Sequence, residues 1–462
     1  MGSRVPHRQV LQSAIERDFR RSRPGTSSVA AAAALCAALG LAASTSAEAS
    51  NTYTVTNNSD SGLGSLRNAI GLANVAAGNT VQFDASLKGS TITLTTGQIE
   101  IDQPMTIAGP GTNLLTISGG HQTRILYAHT QTSSFLTISG LTLTAGGGPE
   151  FDGAAIAATQ SSLYLQGVTI SDSVARNGGG VFVREGVLKL FDSRVEGNVA
   201  DMNGGGVYAI NSNLLIVRST ISSNTAGEYG GGVYANGLFT SPVLLIGKSA
   251  ITRNTIPPPG GPVFQGGGGI AMKGTPSGFV QIYRTTVALN YSYQNAGGIA
   301  LLDAGTAANT SISYLTIVGN SSAASAGNGI TAPNGTTVHT DRSIMAGNSS
   351  HNGISDLSGQ FELLRCLVQN PDSATIVAAS SGNLFLISPQ LTALADHGGP
   401  TLTMLPVPGS PVVDAGGPCS FFDTDQRGLG FSSCVNSVVD IGAVERQSPE
   451  DIIFRDGYDN SS

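Results

Sequence analysis

The chain has 462 residues, among them 61 Gly and no Trp, with 11% charged and 40% hydrophobic residues. Gly at about twice and charge at under half the usual share exclude a helical bundle and a disordered chain, which leaves a β-rich, turn-dense protein. The formal net charge is -7, but residues 1–49 hold six of the 23 basic groups and three of the 30 acidic ones, so the remainder carries -10; non-specific nucleic-acid binding is thereby disfavoured.

Residues 1–49 read as a secretory signal peptide. Arg4, Arg8, Arg17, Arg20, Arg21 and Arg23 precede a small apolar stretch at 29–43, and Ala47-Glu48-Ala49 is a small-x-small cleavage pattern that would leave Ser50 as the mature terminus. The apolar stretch is short and Ala-rich, and nothing later approaches 18 uninterrupted apolar residues, so no mature transmembrane segment is expected. Residues 50–90 are expected to form an N-terminal cap, because Ser65 is a helix-start residue ahead of Leu66, Ala69, Ile70 and Ala73 on one helical face.

Internal repetition decides the fold class. Gly178-Gly179-Gly180-Val181-Phe182 recurs as Gly204-Gly205-Gly206-Val207-Tyr208 and Gly230-Gly231-Gly232-Val233-Tyr234, then more loosely at Gly267, Gly297 and Gly329. A second mark, an apolar residue three before Asn, runs through Asn198, Asn224, Asn254, Asn290 and Asn320. The stretches between are short alternating runs such as Leu188-Lys189-Leu190 and Leu214-Leu215-Ile216. Together they predict an all-β, right-handed parallel β-helix over 91–387, about ten coils stacked about 4.8 Å apart into a rod on the order of 50 Å long. Gly suits corners of positive φ, Asn is the non-Gly residue that best tolerates the same left-handed geometry, and stacked Asn amides are expected to hydrogen-bond up the ladder.

Residues 388–446 are expected to form a C-terminal cap domain and 447–462 a tail. In this loop-rich stretch of an exported chain, Cys419 and Cys434 are expected to be disulfide-bonded, closing a loop of about 15 residues, while Cys366 lies in the apolar run 363–368 as a buried thiol.

Three resemblances follow from these residues. The Gly-Gly-x-apolar and apolar-x-x-Asn marks from about 178 to 350 resemble the repeats of polymorphic outer-membrane proteins, which are β-helical surface proteins. The opening Asp60-Ser61-Gly62-Leu63-Gly64-Ser65-Leu66-Arg67-Asn68-Ala69-Ile70 is similar to the start of CSLREA-domain proteins, although it lacks their Cys and has Asn68 where Glu is usual. Gly409-Ser410-Pro411-Val412-Val413-Asp414-Ala415-Gly416, Asp425-Gln426-Arg427-Gly428 and Asp440-Ile441-Gly442-Ala443-Val444-Glu445 resemble, in order, the choice-of-anchor Q domain, with His397 at a position where Asn is more usual. The resemblance implies a bacterial exported protein, secreted or held at the outer cell surface.

Catalytic signatures are missing. Gly247-Lys248-Ser249 lacks the first Gly of a phosphate-binding loop, because Pro242 stands there. Carboxylates that a polysaccharide lyase or glycoside hydrolase could use are Glu100 with Asp102, and Asp192 with Glu196 near Arg194. No cofactor and no metal site is expected. Two outward columns suggest binding. Counting six residues back from each Asn gives Asp192, Arg218, Lys248, Arg284, Tyr314 and Arg342, in which Arg218, Lys248 and Arg284 form a cation stripe suited to an anionic polysaccharide. Phe182, Tyr208 and Tyr234 form the other, with Tyr208 and Tyr234 as a sugar platform. The expectation is a monomeric, non-catalytic binding or adhesion protein contacting an extracellular or envelope polysaccharide; a polysaccharide-degrading enzyme is the alternative.

Overall fold

A computed structural model describes residues 50–447 apart from the short segments 131–133, 149, 238–242, 260–265, 275–278, 324–327, 352, 372 and 420–423. The leader at 1–49 and all of the tail beyond Gln447 lie outside the described residues.

The chain winds into a parallel β-helix of about 11 turns. One coil shows the plan: strands Val181–Arg184, Val187–Phe191, Arg194–Glu196 and Val199–Ala200 each pair in parallel with the strands one coil on, starting with Val207–Ile210 and Asn213–Val217. The first two strands of each coil merge into one 22-stranded sheet, the third builds a 12-stranded sheet and the short fourth an 8-stranded one. Alternation sets the faces. Val181, Val183, Leu188, Leu190 and Val195 point inward and are fully buried, and a single apolar core runs from Val55 to Val368.

The corners explain the repeated residues. Gly178, Gly204, Gly230 and Gly267 all adopt positive φ, between 58 and 71°. The next Gly is needed for space, since a Cβ on Gly231 would lie 2.4 Å from the Gly268 carbonyl oxygen. The Asn column is a continuous buried ladder. Asn198 Nδ2 donates to Asn224 Oδ1 at 3.0 Å, and the same bond runs Asn224 to Asn254, Asn254 to Asn290, Asn290 to Asn320 and Asn320 to Asn348. Each Oδ1 also accepts the backbone N–H of the preceding Asn, and the ladder ends on Asp356, whose Oδ1 accepts both bonds from Asn348.

The column six residues before each Asn is itself a corner: Asp192, Arg218, Lys248, Arg284, Tyr314 and Arg342 all have φ between 44 and 54°. The following residue is a buried Ser or Thr in each coil up to Thr285. Ser219 Oγ, for example, accepts the Ser193 N–H and donates to the Val217 carbonyl.

The N-terminal end is closed by the helix Leu66–Ala73, with Ser65 accepting from Asn68 N and with Leu66, Ala69, Ile70 and Ala73 buried. Asp60 clamps it to the first coil by accepting from Thr95 and Thr96, through both backbone and hydroxyl, and from Arg67, which donates on to the Gly97 and Gln98 carbonyls.

Residues following 388, expected to form a C-terminal cap, pack along the side of the rod. They lie along the flank of the 12-stranded sheet and reach back to Lys248: Lys248 Nζ donates to Thr424 Oγ1 (2.9 Å), Thr286 Oγ1 to Gln426 Oε1 (2.6 Å), Arg342 Nε to the Gly416 carbonyl (2.6 Å) and Ala443 N to Thr316 Oγ1 (3.1 Å). Val412 and Ile441 pack on Ile344, Ala346 and Leu367. The Asp-Gln-Arg-Gly and Asp-Ile-Gly-Ala-Val-Glu segments knit this unit internally: Asp425 pairs with buried Arg427 and accepts Glu445 N, while Glu445 accepts from Val435 N and Asp440 N. The Cys419–Cys434 disulfide is present, with Cα atoms 6.1 Å apart, and Cys366 is free and buried.

Candidate functional site

The first strand of each coil presents one outward residue in register with the next. In order these are Glu100, Tyr127, Ala157, Phe182, Tyr208, Tyr234 and Ala271. This face gathers rings and hydrogen-bonding groups along the rod axis.

At its N-terminal end, Glu100 in the middle of the strand Ile99–Ile101 and Asp102 just after it converge on His129 of the next coil. His129 Nε2 lies 2.8 Å from Asp102 Oδ1 and 3.7 Å from Glu100 Oε2, and all three side chains are open to solvent. Gln98 Nε2 donates to Glu100 Oε1 at 2.6 Å. The Tyr127 ring sits 5.4 Å from the His129 ring, and the Arg124 guanidinium lies over Tyr127 and Phe151 at 5.1 and 5.0 Å. Arg124 is buried and fully committed, donating to the Gly153 and Asp152 carbonyls and to Gln98 Oε1, and burial lowers its pKa. Its role is to brace the cluster across three coils.

Beside the cluster runs a second amide ladder at the residue before each corner Gly. Asn177 Nδ2 donates to Asp152 Oδ1 at 2.9 Å and Asn203 Nδ2 to Asn177 Oδ1 at 3.1 Å. The next coil places Tyr229 there, and its ring lies 5.4 Å from Tyr234 at 23°.

The aromatic column is present, but its ring faces meet one another. Tyr208 and Tyr234 stack at 5.1 Å and 12°, Phe182 meets Tyr208 edge-on at 5.6 Å, and Tyr208 and Tyr234 are only 8% and 4% exposed. Burial raises the phenol pKa of both. The expectation of an open platform is corrected accordingly, because aromatic rings at coil spacing satisfy each other before any ligand arrives. On this face Phe151 is 40% exposed, and Tyr127 and Tyr229 are half-buried.

The cation stripe is also corrected. Arg218 forms a two-pronged pair with Asp192 of the coil before, both bonds 2.7 Å. Lys248 is 5% exposed beneath Thr424, and Arg284 lies over the Tyr314 ring at 4.7 Å, where Arg342 also packs at 5.4 Å. Like charges stacked at strand spacing are costly, and here each cation has its own partner. Arg194 pairs with Glu196 at 3.2 Å on an exposed flank, away from the cluster. Among the described residues no group of three or more His, Cys, Asp or Glu is arranged to hold a metal ion.

Sequence reading found Glu100 and Asp102 but not His129, Tyr127 or Arg124. The Gly marks that align coils begin only at Gly178, so nothing in the earlier sequence set these residues in register. Asn177 and Asn203 were missed as well, although each stands immediately before a corner Gly of the repeat.

No family model and no curated protein matches the chain. Among solved structures it is similar to pectate lyase Pel9A, at 15% identity and a TM-score of 0.51, over 87% of this chain and 97% of that one. At that identity the likeness is one of fold, a parallel β-helix. No helix among the described residues is long and apolar enough to cross a membrane.

Proposed function

We propose that the protein is an exported bacterial β-helix, anchored or released outside the cell, that binds polysaccharide along the outward face running from Glu100 to Asn203, without cleaving it. The observation that supports this reading is the solvent-open cluster of Tyr127, His129, Glu100 and Asp102 beside the Asp152-Asn177-Asn203 ladder. Carboxylate, imidazole and phenol groups followed by amides on the next coils suit the hydroxyls of successive sugars. Carboxylates that hydrolyse a glycoside face each other across the bond to be cut; Glu100 and Asp102 stand two positions apart on one strand and converge on the same imidazole. The fold shared with a pectate lyase accords with a polymer ligand. We assign the choice-of-anchor-like unit at 388–446 to retention at the cell surface and residues 1–49 to export.

A polysaccharide lyase or hydrolase is the second reading, and one contact favours it. Asp102 at 2.8 Å orients His129 as a carboxylate orients a general base.

A glycan array run on the protein, read for both retention and product release, separates the two. Retention without release is expected, and His129→Ala with Tyr127→Ala should reduce it at least tenfold. Release of shortened or unsaturated sugars, abolished by His129→Ala, would establish the enzyme. The triple variant Arg218→Gln, Lys248→Gln, Arg284→Gln should keep retention and lose thermal stability, because Lys248 holds Thr424; loss of retention on acidic polymers alone would return the contact to the cation column.

A further inference from the structure

Toward the far end of the rod, the outward face of the second strand carries a different row of groups. Strands Phe279–Tyr283, Thr310–Ser313, Thr337–Asp341 and Leu357–Leu364 lie on successive coils, and their parallel registers align Gln281 with Ser311, Ser311 with His339 and His339 with Glu362. Their chain neighbours Ile312, Val338, Phe361 and Leu363 fill the core, so Ser311, His339 and Glu362 face away from it. His339 Nδ1 donates to Glu362 Oε2 at 2.6 Å, and Ser311 stands one coil away on the other side of the imidazole, at the strand spacing of about 4.8 Å. A hydroxyl, an imidazole and a carboxylate thus follow one another along the rod axis. With Nδ1–H committed to the carboxylate, Nε2 of the neutral ring carries the lone pair.

We infer that Ser311, His339 and Glu362 form a hydrolytic triad for short acyl esters, with Gln281 as the oxyanion donor. Nε2 takes the Ser311 hydroxyl proton as Oγ attacks the ester carbonyl carbon; the bond to the alcohol oxygen then breaks, the alcohol leaves with that proton, and the acyl group stays on Oγ. Water next gives a proton to Nε2 as its oxygen attacks the acyl carbon, and the bond to Oγ breaks with the proton returning to Ser311, so ester and water become acid and alcohol. Glu362 orients the ring and stabilises the imidazolium formed in each half. It rests on a strand that pairs with Ile330–Thr331 and Thr337–Asp341 of the coil before and Ser373–Ile376 of the coil after, a continuous ladder rather than a corner. Gln281, 5% exposed and one coil before Ser311, supplies a packed carboxamide for the charge developing on the carbonyl oxygen. Ser313 and the hydrogen-bonded pair of Gln360 with Thr337 surround the row with polar groups, which suits a short acyl group over a long apolar chain. The His339 side chain is 57% exposed, so an ester on a bulky alcohol reaches it without entering a cavity. This row is separate from the face at Glu100 to Asn203 and does not rest on the binding proposed there.

Hydrolysis of 4-nitrophenyl acetate by the full chain, together with fluorophosphonate labelling and mass analysis of the labelled peptide, tests the inference. Saturable hydrolysis is expected, with the phosphonyl group on Ser311. Ser311→Ala and His339→Gln should each lower kcat/KM by about 10²-fold or more, the scale of an activated nucleophile and its general base. Glu362→Gln should lower kcat with KM unchanged, which a merely structural role would not produce. Ser311→Ala removes one oxygen from an outward position, so its melting temperature and its retention on polysaccharide should both hold, and the labelling site on the unaltered chain identifies the nucleophile independently of any variant. Absence of hydrolysis above buffer, a label on another residue, or hydrolysis that survives Ser311→Ala would each overturn the triad.

Discussion

Asp356 shows how much a single residue type decides in a repeated fold. Every Asn below it in the ladder both donates and accepts, but the last position must only accept. Asp356 Oδ1 takes two bonds from Asn348 and Oδ2 takes the Asn370 N–H at 2.7 Å. Burial pushes the Asp356 carboxyl up, and the bonds from Asn348, Asn370 and Gln369 pull against that. Asp356→Asn therefore turns an amide donor toward existing donors. We expect a loss of about 1–3 kcal/mol in unfolding free energy, measured by denaturant titration, despite the relief of burying a charge. An unchanged midpoint would mean that local rearrangement satisfies the Asn370 N–H another way.

Within one coil, the Gly triplet does two jobs that look alike in sequence. Its first member takes the left-handed corner; its second is a contact between backbones. Gly231 lies where any Cβ would meet the Gly268 carbonyl oxygen at 2.4 Å, and Gly205 makes the same 2.4 Å approach to the Gly231 carbonyl oxygen. Overpacking against backbone in a stacked coil cannot be relieved by moving one side chain. Gly231→Ala is expected to cost about 3 kcal/mol, at the upper end for overpacking, and to lower the melting temperature of the whole rod. Periodicity made the strands, the Gly corners and the Asn ladder legible, but the left-handed residue expected at Asn is the one before it, Gly197, Ser223, Arg253, Leu289 and Gly319, which frees the Asn side chain to bond up the stack. The same periodicity misled at Arg218, Lys248 and Arg284: it placed them correctly in one column but said nothing of Thr424 or Tyr314, which approach from elsewhere in the chain.

On the scale of the whole molecule, the two ends answer pH in opposite senses. Burial, joined by repulsion from Asp440, pushes Glu445 up from 4.5 to about 8, and burial pushes Asp440 from 3.8 to about 6. The folded state thus favours their protonated forms. Their contribution is complete below about pH 4 and is lost as pH rises through about 6 and then 8. Asp60 behaves oppositely. Burial alone would raise it, but the bonds from Thr96, Arg67 and Thr95 outweigh that and hold it well below its ordinary 3.8, so its contribution is present above that value and lost in acid. Hydrogen exchange should accordingly show residues 388–446 opening more at pH 9 than at pH 5, and residues 51–74 opening first below pH 4. Uniform loosening of both ends at either extreme would refute this.

The sequence by itself determined the coil. Corner Gly, the Asn ladder, the alternating strands and the cap helix all follow from spacing, because a solenoid coil touches only its neighbours and repeats the same local problem. Tertiary structure alone decided what covers what. The unit after residue 388 returns along the flank to Lys248, 176 residues from its partner Thr424, and no periodicity encodes that return. His129 meets Asp102 only because two coils without a Gly mark fall into register. Tyr208 and Tyr234 were legible as a column, but whether their faces meet water or each other depends on side-chain stacking between coils, a packing outcome that composition and spacing leave open.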